Sequence, residues 1–321
     1  MSQVAMRSLA SAGIGLVIAV VLAPSVIRAL KRLKVGQVVR DDGPKTHLVK
    51  SGTPTMGGVI IIIAGMAAAA LTAPGFKHLP LALFVTTGCG LIGMLDDYLS
   101  IVAHRSLGLR ARKKLMLQFV LGIVLGAYAY SSPDMGSRIS IPFTNGVAID
   151  LGAWYILFAA AVLVSATNAV NLTDGLDGLA AGCVAVTCFG YVVISSILSN
   201  GEAGVFAGAI GGACLGFVWW NAHPAAVIMG DSGSLALGAA LASLAVITKT
   251  ELLLVIMGGV YVVEALSVII QVISFKLTKK RVFRMAPIHH HFELKGISEP
   301  KIVVRFWIAA AFLAALGIAG L

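Results

Sequence analysis

Apolar residues fall in ten long blocks separated by short polar stretches, at 8–30, 55–73, 79–95, 114–131, 151–168, 177–197, 203–220, 234–249, 251–275 and 302–320. A helix needs about 20 apolar residues to cross the hydrocarbon core of a bilayer, so blocks of this length predict about ten transmembrane helices in one domain spanning residues 1–321. The first block, Ser8 to Leu30, has no small-residue cleavage pattern and runs directly into Lys31-Arg32, which predicts a retained span rather than a removed leader. One stretch has a different period. Residues 138–151 read as two β-type runs, Ile-Ser-Ile-Pro-Phe and Val-Ala-Ile-Asp-Leu, around Asn145-Gly146, which predicts a small external β-hairpin. The expected fold is an all-α polytopic membrane protein with that hairpin as its one β element.

Composition agrees with the pattern: 58% of the 321 residues are hydrophobic and 12% charged, and the mean hydropathy is +0.95, far from the values of soluble domains. The 36 glycines suit a bundle in which small residues let helices approach closely. The net charge of +10 would suit a nucleic-acid partner, but the placement of the charges argues otherwise. Of the 24 Lys and Arg, all but Arg7, Lys77, Arg138 and Lys249 lie in or beside the odd-numbered loops. By the positive-inside rule those loops face the cytoplasm, and an even number of spans puts both termini on the periplasmic side. No nucleic acid is needed to explain the charge; anionic lipid and phosphate substrates also benefit from it. Cys89, Cys183, Cys188 and Cys214 all lie in apolar stretches without a CxxC pair, and read as core fillers.

The acids carry the chemical signal. Asp96, Asp97, Asp174, Asp177 and Asp231 all fall at the predicted cytoplasmic ends of spans or in the short loops beside them. Ionisable groups next to hydrocarbon are costly, so five on one side predict a cation-binding, catalytic mouth. The pair Asp96-Asp97 cannot ionise cheaply without a cation between or beside the two carboxylates. Magnesium, which prefers hard oxygen ligands shared with substrate phosphates, fits best, and an ordinary polar helix end is the alternative. In Asn168-Ala-Val-Asn171-Leu-Thr-Asp174-Gly-Leu-Asp177, polar side chains recur every third residue and form a stripe, with Gly175 and Gly178 permitting close approach of a ligand. Met229-Gly-Asp-Ser-Gly-Ser234 precedes the eighth span. Asp231 or Ser232 can cap that helix, whose first N–H groups then offer a phosphate site. Asn221, behind Trp219-Trp220, is placed to face the same cavity, with the tryptophans as interfacial anchors. Three consecutive histidines in Pro287-Ile-His-His-His-Phe-Glu293 cannot all face one metal, so they fit nucleotide and diphosphate recognition better than zinc. His47, His104 and His223 read as ordinary interfacial histidines.

These motifs, with Lys50-Ser-Gly-Thr-Pro-Thr-Met-Gly-Gly58, resemble the polyprenyl-phosphate N-acetylhexosamine-1-phosphate transferases over essentially the whole chain. The histidine motif resembles their phospho-N-acetylmuramoyl-pentapeptide branch. The resemblance implies a magnesium-dependent, homodimeric, ten-span enzyme of the bacterial cytoplasmic membrane. Such an enzyme moves phospho-N-acetylmuramoyl-pentapeptide from its UDP donor to undecaprenyl phosphate at the cytoplasmic face, releasing UMP. It further implies Asp231 as the magnesium ligand, Asp96 and Asp97 at the reacting phosphates, and His289 as a residue needed for activity. Lys50, Thr55, Asn171, Asp174, Asp177, Asn221, Ser234, His290 and His291 are the implied substrate contacts. In that family span nine is broken and its inner part frames a groove for the prenyl tail, which places the break here at Gly258-Gly259 and Glu264. A transporter is the rival from another class, yet transport sites sit near the bilayer midplane between repeats, whereas these acids lie at one face and the chain has no internal repeat. A transferase for UDP-N-acetylglucosamine is the rival within the class, and the histidine motif argues against it.

Overall fold

A computed structural model describes residues 3–33, 52–72, 75–102, 108–144 and 146–321. The chain runs through α1 (Gln3–Arg32), α2 (Gly58–Thr72), α3 (Leu79–Val102), α4 (Ala111–Ser131), the strands β1 (Arg138–Ser140) and β2 (Ala148–Asp150), α5 (Trp154–Thr173) and α6 (Leu179–Ile197). It continues through α7 (Gly201–Asn221), α8 (Gly230–Thr248), α9 (Glu251–Met257), α10 (Gly259–Thr278), α11 (Ile288–Glu293) and α12 (Glu299–Ala319). Among the described residues nine of these helices are long and apolar enough to cross a membrane, where the sequence predicts about ten. The difference lies in α2, whose 15 residues extend only about 22 Å at 1.5 Å per residue. The preceding residues, expected to be helical, instead pair their backbone with the segment before α8: Ile228 N–H donates to Pro54 O (2.8 Å) and Gly57 N–H to Ile228 O (2.9 Å).

Every residue of α8 from Ser232 to Thr248 is buried, and α3, α5 and α2 pack around it. Helix α1 lies along α7. A Cβ on Gly208, Gly212 or Gly216 of α7 would run into the backbone of Ser8, Ala12 or Leu16 of α1, so glycines four residues apart set the close crossing of this pair. The exposed apolar side chains of α4, α10 and α12, such as Phe119, Ile273 and Phe312, form a hydrocarbon-facing periphery. The four cysteines are all buried and unpaired, as expected of core fillers.

The hairpin is present, with Ile139 opposite Ile149, but its connection is longer than a two-residue Asn-Gly turn. Pairing stops where Ile141 N–H donates to Val147 O (2.9 Å). The next residue is Pro142, which has no N–H to continue a ladder, and Phe143 donates to Gly320 O (3.0 Å) at the end of α12 instead. The ninth apolar block is broken as expected at Gly258, whose N–H caps α9 by donating to Leu254 O (2.7 Å). A side chain there would press against that carbonyl and the Tyr261 ring. Glu264, expected at the break, lies within the continuous helix α10.

Candidate active site

The first turn of α8 is where three elements meet. A Cβ on Gly93 of α3 would strike the Asp231 backbone, and one on Gly58 would strike the Gly233 backbone, so small residues bring α3 and the start of α2 directly onto it. Gly230 sits at φ +75°, a conformation costly for any other residue. A side chain there would also meet the Asp97 carboxylate and the Thr55 hydroxyl. Thr55 and Asp97 thus face the same side of Gly230.

The adjacent aspartates of α3 have different partners. Asp97 accepts the backbone N–H groups of Asp231 and Ser232 (3.0 Å each), so it caps α8 from outside. The sequence reading gave that cap to Asp231 or Ser232 and left the N–H groups open to phosphate; the carboxylate of Asp97 takes two of them. Asp96 accepts from Leu109 N–H (2.6 Å) and lies 3.5 Å from the Lys114 ammonium. Lys114, on the first turn of α4, also donates to Asp231. Asn171 donates to Asp231 Oδ1 and to Ser234 Oγ (2.8 Å each). One ammonium thus bridges carboxylates from α3 and α8 where the sequence predicted a cation beside the aspartate pair. Behind it, Asn168 donates to the fully buried Gln118 (2.7 Å), binding α5 to α4.

The second half of the site is built on the turn after α5, where Asp174 is the residue closing the helix. Asp177 N–H donates to Glu299 Oε1 (2.7 Å), and its carboxylate accepts from Ala225 N–H (3.1 Å) and lies 3.2 Å from His223 Nδ1. Asp177, His223 and Glu299 place ligand-type atoms within 4.8 Å of one another, a set able to hold a metal ion. Asn221 spans the same turn: its oxygen accepts from Gly178 N–H and its amide donates to Val227 O (2.9 Å each). The buried Asn221 amide therefore ties the turn to the segment before α8.

The three histidines of α11 point to three different partners. His289 is fully buried beside Glu264 (3.1 Å) and against Gly175, where a Cβ would overlap its ring. His290 pairs with Glu293 (2.6 Å), and His291 accepts from Arg284 N–H (3.1 Å). Desolvation, then the Lys295 and Arg284 charges, lower the pKa of His291 below the usual histidine value.

The described residues bring together Thr55, Asp96, Asp97, Asn171, Asp231 and Ser234 around α8, and His289 against the turn that carries Asp174 and Asp177. Lys50 lies outside the described residues. Lys114, Gln118 and Glu299 were not singled out from sequence, and His223 was read as an ordinary interfacial histidine. The signal for the first two was a charged and an amide residue at i, i+4 at the start of an apolar block. His223 and Glu299 had none, because their association with Asp177 is made only by the fold.

Residues 79–249 match the family described as glycosyl transferase family 4, and residues 50–62 match signature 1 of the phospho-N-acetylmuramoyl-pentapeptide-transferases. The chain is 51% identical over 302 residues to the phospho-N-acetylmuramoyl-pentapeptide-transferase of Moorella thermoacetica, covering 94% of this chain and 95% of that one. It is 50% identical to the protein of the same name from Bacillus velezensis (95% and 94% covered) and 48% identical to that of Desulfotalea psychrophila (99% and 93% covered).

Proposed function

The chain belongs to the phospho-N-acetylmuramoyl-pentapeptide-transferase family, and from that premise we propose that the Asp96, Lys114 and Asp231 cluster is where its two phosphate substrates meet. The activity is transfer of phospho-N-acetylmuramoyl-pentapeptide from the UDP donor to undecaprenyl phosphate, giving lipid I and UMP. The observation that carries the site is the convergence of Asp96 and Asp231, from two packed helices, on a single ammonium. In a bundle this apolar, acids so placed serve charged ligands.

The acceptor is a phosphate monoester with a second pKa of about 6, so it is largely ionised at neutral pH and needs no strong base. The harder task is bringing two anions together, which favours charge neutralisation over proton transfer. Lys114 offsets part of that charge. Asp97, by capping α8, holds Asp231 and Ser234 in register with Asn171. The oxygens of Asp231 and Asp96 are the hard donors a magnesium ion takes, and the Lys114 ammonium already occupies cationic space between them, so the residues fit the ion. When bound, magnesium supplies neutralisation of the donor diphosphate.

The turn carrying Asp174 and Asp177, with Asn221, His290, His291 and Lys50, is assigned in the same reading to the nucleotide and sugar. Exposed Leu266, Ile270 and Ile273 of α10 offer apolar surface to the prenyl tail. The basic loops favour a cytoplasmic site, with both termini periplasmic and the enzyme a homodimer in the bacterial inner membrane.

Purified protein given undecaprenyl phosphate and UDP-N-acetylmuramoyl-pentapeptide should release UMP, and EDTA should stop it. Release with UDP-N-acetylglucosamine in place of the muramoyl donor would overturn the substrate assignment, and full turnover in EDTA the metal.

A further inference from the structure

Glu264 and His289 form a buried ionisable pair that the charge-neutralising mechanism above does not use. Both side chains are fully buried, and His289 Nδ1 lies 3.1 Å from Glu264 Oε2. Among the described residues neither carboxylate oxygen nor either ring nitrogen has a hydrogen-bond partner, so the close approach is off the hydrogen-bond axis. A carboxylate within an apolar helix and without a donor is costly, and a leucine would fill the space without that cost. The charge is therefore tied to the imidazole it faces. On the ring's other edge, Nε2 is the atom a Cβ at Gly175 would meet first, so it points into the turn that carries Asp174 and Asp177. The His290 ring, 4.1 Å away centroid to centroid, closes one flank. A carboxylate that faces one nitrogen of an imidazole decides which nitrogen carries the proton and what the other can do.

We infer that Glu264 is a positioning residue for the transfer: it keeps a proton on His289 Nδ1 and so aims Nε2 at the Gly175 turn. The contact tightens into a hydrogen bond when substrate orders the site, as poorly aligned pairs in ligand-free sites do. It also links the inner part of the broken helix to the turn assigned to the nucleotide. This inference rests on His289 belonging to the transferase site.

A double-mutant cycle tests it. E264Q should lower kcat by about 10- to 100-fold, the range for groups that orient a functional histidine, with the donor KM unchanged within about twofold. In an H289Q background the same change should add less than about threefold, because a residue acting through His289 has nothing left to act on. Equal losses in both backgrounds would make Glu264 merely structural and overturn the inference, as would wild-type kcat in E264Q. In the unmodified protein, ¹⁵N-histidine NMR, with His289 assigned by its disappearance in H289Q, should find Nδ1 protonated. An unprotonated Nδ1 overturns the inference whether or not E264Q folds. Full activity of H289Q would instead remove His289 from the site, a failure of the functional assignment that the cycle separates from failure of the pairing.

Discussion

Acids lie near both ends of helices α3 and α8, and the two ends treat them differently. Where α3 begins, Glu202 accepts the backbone N–H groups of Lys77, His78 and Leu79 (2.9, 2.6 and 3.1 Å). Beside it Lys77 and Asp134 form an ion pair that raises the pKa of the lysine and lowers that of the aspartate. Just beyond the end of α8, Glu251 accepts from Tyr155 and lies 3.2 Å from Lys249. Each acid there has donors of its own. At the other ends of the same helices Asp96 and Asp231 share one lysine, and Asp97 is held by two backbone amides. Among the described residues the ends differ in how their acids are paired: at one end each acid has its own donors, whereas at the other two carboxylates depend on a single ammonium, an arrangement that a further cation would stabilise.

Breaking the comparison at its strongest point means removing a charge from the end where two acids share one lysine. Asp231→Asn should cut kcat by about 10³-fold, the upper range for losing one electrostatic contact to a reacting group, with the thermal midpoint unchanged. Wild-type turnover and magnesium dependence in that variant would refute the ligand assignment. Asp96→Asn should lose about 10²-fold, and its rate should stay parallel to wild type from about pH 6 to 9. A base would contribute about 10²- to 10⁴-fold and its loss would be rescued as rising pH strips the acceptor's last proton. A variant that climbs toward wild type with pH would restore Asp96 as the base.

Smaller effects sharpen the contrast. Asp97→Ala should lower stability by about 1–2 kcal/mol, the cost of a lost helix cap, and Asp96→Ala by less, because it gives up one backbone amide rather than two; thermal unfolding in detergent reads both. At the opposite end Glu202→Gln should cost about 1 kcal/mol through weakened charge-assisted bonds while leaving kcat as it was. A changed kcat would mean that the two ends are coupled.

The bundle was legible because a bilayer imposes a length that apolar blocks reveal directly; the break in the ninth block was implied by the family resemblance, and the paired glycines only located it. The short α2 was not legible: Thr55 to Gly57 run straight into the apolar stretch, and the backbone pairing of Pro54 to Gly58 with residues 228 and 229 is invisible locally. Among the acids, the motifs marked the right end of the molecule. They did not separate Asp96 from Asp97, because the amides that occupy Asp97 lie 134 and 135 residues later. Lys114 was counted with the loop charges, although it sits on the first turn of α4 and turns inward.

That separation bears on how the protein is made. During synthesis α3 enters the membrane long before α8 leaves the ribosome, so Asp97 waits without the amides that later bind it, and the Thr55 segment waits without its backbone partners Ile228 and Met229. Asp96 can by then already meet Leu109 and Lys114, so the cost at this stage falls on Asp97. Such a topology, rich in contacts between distant parts of the chain, folds late and as a unit. A chain cut short before residue 230 would leave Asp97 without the two amides that cap α8 onto it.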